Sequence, residues 1–327
     1  MANKPSGILI FAEQSNGEIH EVTYELINKA NELAKSLSAE IAVAVLSDHK
    51  HNLDEFFYYG VDKVFYMNNK FFGYPDEVYY KENLEIVVGD FNPEIILIGA
   101  TSFGRSLAPR LAITLETGLT ADCVDLKIDS ETSKLVQIRP AFSGNILAHI
   151  KTITYPQIAT IRYKEFSKAI KGDYKKGDII ELDSINYNKD IYIEKIDSKI
   201  EDITEAEVVV AGGKGLKQAQ DIELLNELAN QINATIGGSR DIVDEGYLPH
   251  SNQVGYSGFR VKPKVYIACG ISGATQHIVG MKESDVIISI NKDPSAPIFN
   301  VSNIGIVGDL YEVIPKLIKK IESETIK

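Results

Sequence analysis

Glu207-Val-Val-Val-Ala-Gly-Gly-Lys-Gly215 is the stretch on which the reading of this chain turns. A short apolar run rich in valine, closed by glycines, reads as a strand buried on both faces. A helix is expected next, from about Gln218 to Ile232. Strand, glycine turn and helix in that order open a doubly wound α/β domain, in which ligands gather at the carboxyl ends of the strands. In Gly212-Gly-Lys-Gly215 the missing Cβ atoms let backbone N–H groups approach an anion, and the dipole of the following helix favours negative charge. The full G-x-G-x-x-G pattern fails, because Gln218 stands where the third glycine would fall. Phosphate binding and a tight structural turn both stay open.

Further strands are read at Val265 to Cys269, Val286 to Ile290 and Ile304 to Val307, with helices near Thr275 to Met281 and Leu310 to Ile321. Each strand end carries small or polar residues. Gly270-Ile-Ser-Gly-Ala-Thr-Gln-His277 offers two glycines for close backbone approach, with Ser272, Gln276 and His277 as polar groups. The alternative is a serine cap on an ordinary helix with His277 exposed. Gly237-Gly-Ser-Arg-Asp241 and Gln253-Val-Gly-Tyr-Ser-Gly-Phe-Arg260 belong to a long irregular segment whose aliphatic and aromatic residues suit an ordered, ligand-clasping loop. Arg240 has a plainer role available as the surface partner of Asp241 or Asp244. Asp309, before Leu310, stands where a helix cap is expected, with a ribose or adenine contact as its functional reading. Asn291-Lys-Asp-Pro294 reads as a turn.

Upstream, short apolar runs alternate with helix-period segments: Ile8 to Ala12, Val22 to Leu37, Ile41 to Leu46, Lys63 to Tyr66, Glu94 to Gly99 and Arg105 to Leu115. That alternation implies a parallel sheet covered by helices. Ala121 to Ile128 and Lys134 to Ile138 read as strands joined by a turn, and His149 to Arg162 adds β-like sequence. The fold class expected is therefore α/β: an N-terminal domain with a parallel sheet over residues 1–163, a Lys/Asp/Glu-rich linker or peripheral segment over 164–205, and a C-terminal doubly wound domain over 206–327. The net charge of -12 argues against nucleic acid as the main partner. No apolar run approaches the ~20 residues of a bilayer span, and no signal-peptide core opens the chain, so a cytoplasmic protein is expected. The two cysteines, Cys123 and Cys269, suit reduced buried thiols better than a disulfide or a metal site. No nucleophile elbow, Walker lysine, Cys-x-x-Cys or acid/base pair is found.

Taken in series, these motifs resemble the α subunit of the electron-transfer flavoproteins. The resemblance also rests on Gly104-Arg-Ser-Leu-Ala-Pro-Arg-Leu-Ala, Thr117-Gly-Leu-Thr-Ala-Asp-Cys and Arg139-Pro-Ala-Phe-Ser-Gly-Asn in the amino half, and on Ile290-Asn-Lys-Asp-Pro-Ser-Ala-Pro-Ile-Phe in the carboxyl half. It implies FAD as cofactor, held in the carboxyl domain with its flavin facing a β subunit. The positions that match the family's contacts are Lys214, Ser239, Arg240, Gln253, Val254, Gly255, Tyr256, Ser257, Gly270, Ser272, Gly273, Ala274, Thr275, Gln276, His277, Asn291, Asp309 and Leu310. Lys214 replaces the arginine of some relatives, keeping a cation and losing a bidentate fork. Tyr256 and Ser257 replace Gln and Thr of some members. Arg240 and His277 are the positions implied to stabilise negative charge added to the ring. The resemblance further implies a heterodimer that exchanges electrons with an acyl-CoA dehydrogenase or another flavin dehydrogenase; a bifurcating variant would add NADH and ferredoxin. Read without the resemblance, the same domain could serve an NAD-dependent oxidoreductase or a nucleotide-sensing interaction module.

Overall fold

The computed structural model describes residues 5–15, 17–141, 146–187 and 202–325, and the chain divides into two compact units, Met1–Tyr192 and Ile193–Lys327. The first unit runs β1 (Ile8–Ala12), β2 (Gln14–Ser15), β3 (Glu18–Ile19), α1 (Val22–Leu37), β4 (Ile41–Ser47), β5 (Lys63–Asn68), α2 (Glu77–Phe91), β6 (Ile95–Gly99) and α3 (Ser102–Thr114). It continues with β7 (Leu119–Cys123), β8 (Asp125–Ile128), β9 (Leu135–Ala141), β10 (Ile146–Lys151), β11 (Gln157–Ile161) and β12 (Asp178–Glu181). Seven strands form one parallel sheet in the order β12-β5-β4-β1-β6-β11-β7. Its central strands are aliphatic on both faces because both are covered. Leu26, Ile27, Ala30 and Leu33 of α1 close one side, and Tyr79, Leu84 and Val87 of α2 with Leu107 and Leu111 of α3 close the other. Each fully buried Leu or Ile contributes about 2 kcal/mol. Asp76 caps α2 by accepting from the amides of Val78 and Tyr79, and the helix ends where Asn92 turns left-handed at φ 51°.

One expectation changes here. Ala121 to Ile128 is not one strand: Asp122 adopts φ 61°, its carboxylate is gripped by Arg162 at 2.8 and 3.0 Å, and the chain leaves the parallel sheet at that point. It passes into a small antiparallel sheet, β8-β9-β10, whose edge strand β10 exposes Ile146, Leu147 and Ile150. Within the segment read as a linker or peripheral piece, β12 pairs in parallel with β5 at the edge of the first sheet. Its later part, 188–201, and residues 142–145 of the Arg139 motif lie outside the described residues.

The second unit contains β13 (Val208–Gly212), α4 (Ile222–Gln231), β14 (Thr235–Gly238), α5 (Arg240–Asp244), β15 (Val265–Cys269), α6 (Thr275–Met281), β16 (Val286–Asn291), β17 (Ile304–Val307) and α7 (Leu310–Thr325). Its five strands are all parallel, ordered β14-β13-β15-β16-β17. Strand order reverses between β13 and β15, which places the topological switch point between the loops at their carboxyl ends. Cys123 and Cys269 are both free and buried. Among the described residues no helix is long and apolar enough to cross a membrane.

Candidate functional site

A cleft of about 300 Å³ opens at that switch point, where the loops after β13, β14 and β15 meet. The loops can meet because glycines stand at their crossing. A Cβ on Gly213 would lie 2.6 Å from the Gly270 carbonyl oxygen, and one on Gly215 would lie 2.6 Å from Gly270 Cα. Gly270 itself has φ 64°, a conformation that favours glycine. The glycine loop therefore serves backbone packing more than anion binding. Gly213 donates its amide to Cys269 and Gly215 to Gly270, while Lys217 and Gln218 donate theirs to the Asp221 carboxylate. A short turn, Ala219–Asp221, separates this loop from α4, so the helix starts at Ile222 and not at Gln218. Anion contact here falls to Lys214.

The wall after β14 supplies Ser239, Arg240 and Asp241, and the loop 253–257 lies over it. The Ser239 hydroxyl oxygen is buried without a hydrogen-bond partner among the described residues. Arg240 pairs through Nε with Asp244 at 3.1 Å, and Lys214 approaches Glu245 at 3.5 Å. All four side chains are exposed, so both cations can turn to an anionic ligand at little cost. Gln253 is buried and donates to the Ser257 hydroxyl at 3.0 Å. Tyr256 stands 65% exposed at the mouth, its amide tied to the Gln276 carbonyl at 2.7 Å. The third wall brings Ile271, Ser272, Ala274, Gln276 and His277.

His277 is buried, contrary to the exposed alternative. Its Nε2 lies 3.0 Å from the Tyr266 hydroxyl, and its Nδ1 is buried with no hydrogen-bond partner among the described residues. Burial pushes the imidazole down to about 4, so it is neutral at pH 7. That leaves Lys214 and Arg240 as the cations lining the cleft.

Of the residues singled out in the sequence, Lys214, Ser239, Arg240, Gln253 to Ser257, Ser272, Ala274, Gln276 and His277 line this cleft. Gly270, Gly273, Thr275, Asn291, Asp309 and Leu310 do not. Gly273, at φ 90°, packs against the backbone of Ile298, where a Cβ would come within 2.2 Å of the amide nitrogen. Asn291 donates to the Ile271 carbonyl and accepts from the Asp293 amide, which fixes the wall from behind. Asp309 accepts from the Tyr311 amide as the cap of α7, and Leu310 is buried against Gly215 and Gly270. Asp241 and Ile271 also line the cleft, and sequence reasoning does not reach them as site residues. Asp241 reads there only as a partner for Arg240, and Ile271 carries no polar signal.

The residues fit FAD. The cleft, about 300 Å³, is at the small end of ligand sites, ~300–1,000 Å³, room for part of a dinucleotide. The loosely held Lys214 suits a diphosphate, and the loosely held Arg240 with the unpartnered Ser239 hydroxyl suits a polar ring edge.

Comparison with known proteins agrees. Residues 8–185 match the electron transfer flavoprotein domain, and residues 202–282 match the electron transfer flavoprotein FAD-binding domain. The chain is 40% identical to the electron transfer flavoprotein subunit alpha of Thermoanaerobacterium thermosaccharolyticum, across 98% of this chain and 99% of that one. It is 42% identical to subunit LctC of the lactate dehydrogenase (NAD(+),ferredoxin) of Acetobacterium woodii, across 97% of this chain and 77% of that one. Protein FixB of Clostridium saccharobutylicum is 39% identical, with 95% of each chain covered.

Proposed function

We infer the working role from one premise: the chain belongs to the electron transfer flavoprotein α-subunit family, and FAD is its cofactor. In our reading it binds FAD at the switch-point cleft and, paired with a β subunit, passes electrons to or from a dehydrogenase. FAD, when bound, supplies reversible uptake of electrons. The protein's share is to hold and tune it. Arg240 and Lys214 bring positive charge to the cleft, Ser239, Ser257 and Ser272 bring hydroxyl groups, and the neutral His277 adds a polar wall without a fixed charge. Gly270, Gly273, Asn291, Asp309 and Leu310 act behind them, setting where the loops stand.

The observation that carries this reading is the convergence of three strand-end loops on one cleft bearing two loosely paired cations and an unpartnered hydroxyl. An acyl-CoA dehydrogenase or another flavin dehydrogenase is the partner class proposed, in the cytoplasm. The likeness to LctC, whose enzyme is described as using NAD(+) and ferredoxin, supports a bifurcating role; the likeness to the subunit alpha of Thermoanaerobacterium supports a plain carrier equally well. Co-production with the β subunit tests the core of the proposal. The complex should be yellow and release FAD on denaturation. A well-folded complex that is colourless and takes up no added FAD sinks it. Adding NADH, ferredoxin, a dehydrogenase and the oxidised form of that dehydrogenase's substrate as the high-potential acceptor then separates the two roles: ferredoxin reduction coupled to reduction of that acceptor supports bifurcation, and its absence supports the carrier.

A further inference from the structure

The loop that bears Lys214 is pinned from outside the cleft. Lys217 donates its amide to the Tyr311 hydroxyl at 2.9 Å and to Asp221 Oδ2 at 3.0 Å, and the Gln218 amide reaches the same oxygen at 3.2 Å. The Tyr311 hydroxyl in turn donates its proton to Asp221 Oδ2. One phenol thus accepts from the loop and donates to the acid that also holds the loop. Above it, the Lys217 ammonium lies 4.5 Å from the centroid of the Tyr311 ring. The Tyr311 hydroxyl, with the surrounding amides adding to it, keeps the Asp221 carboxyl below its ordinary range, so the acid is ionised at neutral pH.

Tyr311 is the second residue of α7, directly after Leu310, which rests on Gly215 and Gly270. Asp309 caps the same turn through the Tyr311 amide. The loop after β13 and the start of α7 are therefore joined through the Tyr311 hydroxyl as well as through Leu310, and the amide that reaches the hydroxyl, that of Lys217, stands three residues from Lys214. The amides of Gly213, Gly215 and Leu216 already bond within the protein, so the position of Lys214 depends on how firmly the loop's C-terminal flank is held.

We propose that Asp221 and Tyr311 form a clasp that positions the Lys214 loop for the diphosphate half of the dinucleotide. Both are positioning residues, since neither lines the cleft. The clasp rests on the FAD reading and deepens it. Tyr311→Phe deletes the shared hydroxyl and keeps the ring over which Lys217 lies. Asp221→Ala removes the acceptor of two amides, and Asp221→Asn restores an acceptor oxygen.

The test uses the complete α–β complex, stripped of flavin, with calorimetric titration of FAD and, separately, of ADP as a probe of the diphosphate half. Tyr311→Phe and Asp221→Ala should each raise the FAD and ADP dissociation constants by about tenfold, the scale of one hydrogen bond to a charged group. Asp221→Asn should recover most of that loss. The potential of the bound flavin should not move, because neither residue lines the cleft. Unchanged affinity in both Tyr311→Phe and Asp221→Ala overturns the clasp, as does a loss matched by a collapse of the thermal midpoint of the flavin-free complex. If the unmodified complex itself takes up no FAD, the functional reading has failed and the clasp falls with it; a normal titration there, with no effect in the variants, sinks the clasp alone.

Discussion

Arg240 is the residue in which two readings join. Its Nε pairs with Asp244 one helical turn on, as its spacing predicts, and the same side chain lines the cleft. Because both partners are exposed, the pair adds little to stability. Removing it should therefore separate redox tuning from folding. Arg240→Ala should lower the first reduction potential of the bound flavin and leave the thermal midpoint almost unmoved, and Arg240→Lys should regain part of the potential. A redox titration with an unchanged first potential in Arg240→Ala would count against the assignment. His277, on the facing wall, is legible in the sequence as a position and not as a charge. Its side-chain type says nothing of the wall formed by Val254 and Tyr266, which strips water from the ring and holds it neutral. Sequence spacing determines what stands near a residue on its own element, whereas burial is decided by elements far along the chain.

Helix α6 presents Gly280 to the loop that carries Tyr256. A Cβ there would lie 2.4 Å from the Gly255 amide nitrogen and 2.5 Å from its Cα, so the helix and the loop touch backbone to backbone. Gly255, at φ 144°, and the bond from the Tyr256 amide to Gln276 complete the fit. Gly280→Ala should push the loop off the helix at a cost of about 1–3 kcal/mol, the usual penalty for overpacking. The complex should then retain less FAD through gel filtration and show a shifted visible spectrum; full retention with an unaltered spectrum would mean that the loop does not shape the site. At this scale the sequence reads well where periodicity is clean. The bounds of β1, α1, β15, α6 and β17 match the expected runs. It reads poorly where a local rule is ambiguous. Strand β14, Thr235–Gly238, hides inside an apparently irregular segment because two of its four residues are glycine. There the bare backbones of Gly237 and Gly238 make room for Ile203, Val209 and Ile242, a packing reason invisible from neighbours in sequence. Helix α2 escapes the pattern because its buried face is built of Tyr79, Tyr80 and Asn83 alongside the aliphatics, which blurs the apolar stripe.

Each of the molecule's two units keeps its own core, and each buries an ionisable group whose pKa is displaced, in opposite senses. In the first, Glu25 of α1 is almost fully buried and accepts from the amides of Lys164 and Phe166 at 3.1 and 3.3 Å. Burial outweighs those amides and the nearby Lys168, raising the carboxyl from 4.5 to about 7. A raised folded value favours the protonated form, so its stabilising effect is full below pH 4.5 and is lost as the pH climbs through 7. In the second, His277 is lowered from 6.5 to about 4. A depressed folded value favours the neutral form, and that contribution is full above pH 6.5 and is lost as the pH falls through 4. Each displacement corresponds to about 3 kcal/mol at its limit. Acidification from about pH 7 to about pH 5 should therefore firm the first unit and loosen the second. Pulse proteolysis in graded urea, with fragments assigned by mass, would show the two midpoints moving apart; midpoints that shift together would refute the pairing of these groups with their units. The strand β10 has a more practical corollary. Among the described residues no strand pairs with its outer ladder, and it carries Ile146, Leu147 and Ile150 in the open. Such a border invites stacking of like chains, and salting-out ions strengthen the attraction. A cell that overproduces this polypeptide without a companion should deposit it in inclusion bodies, and an ammonium sulfate cut will precipitate the lone chain early.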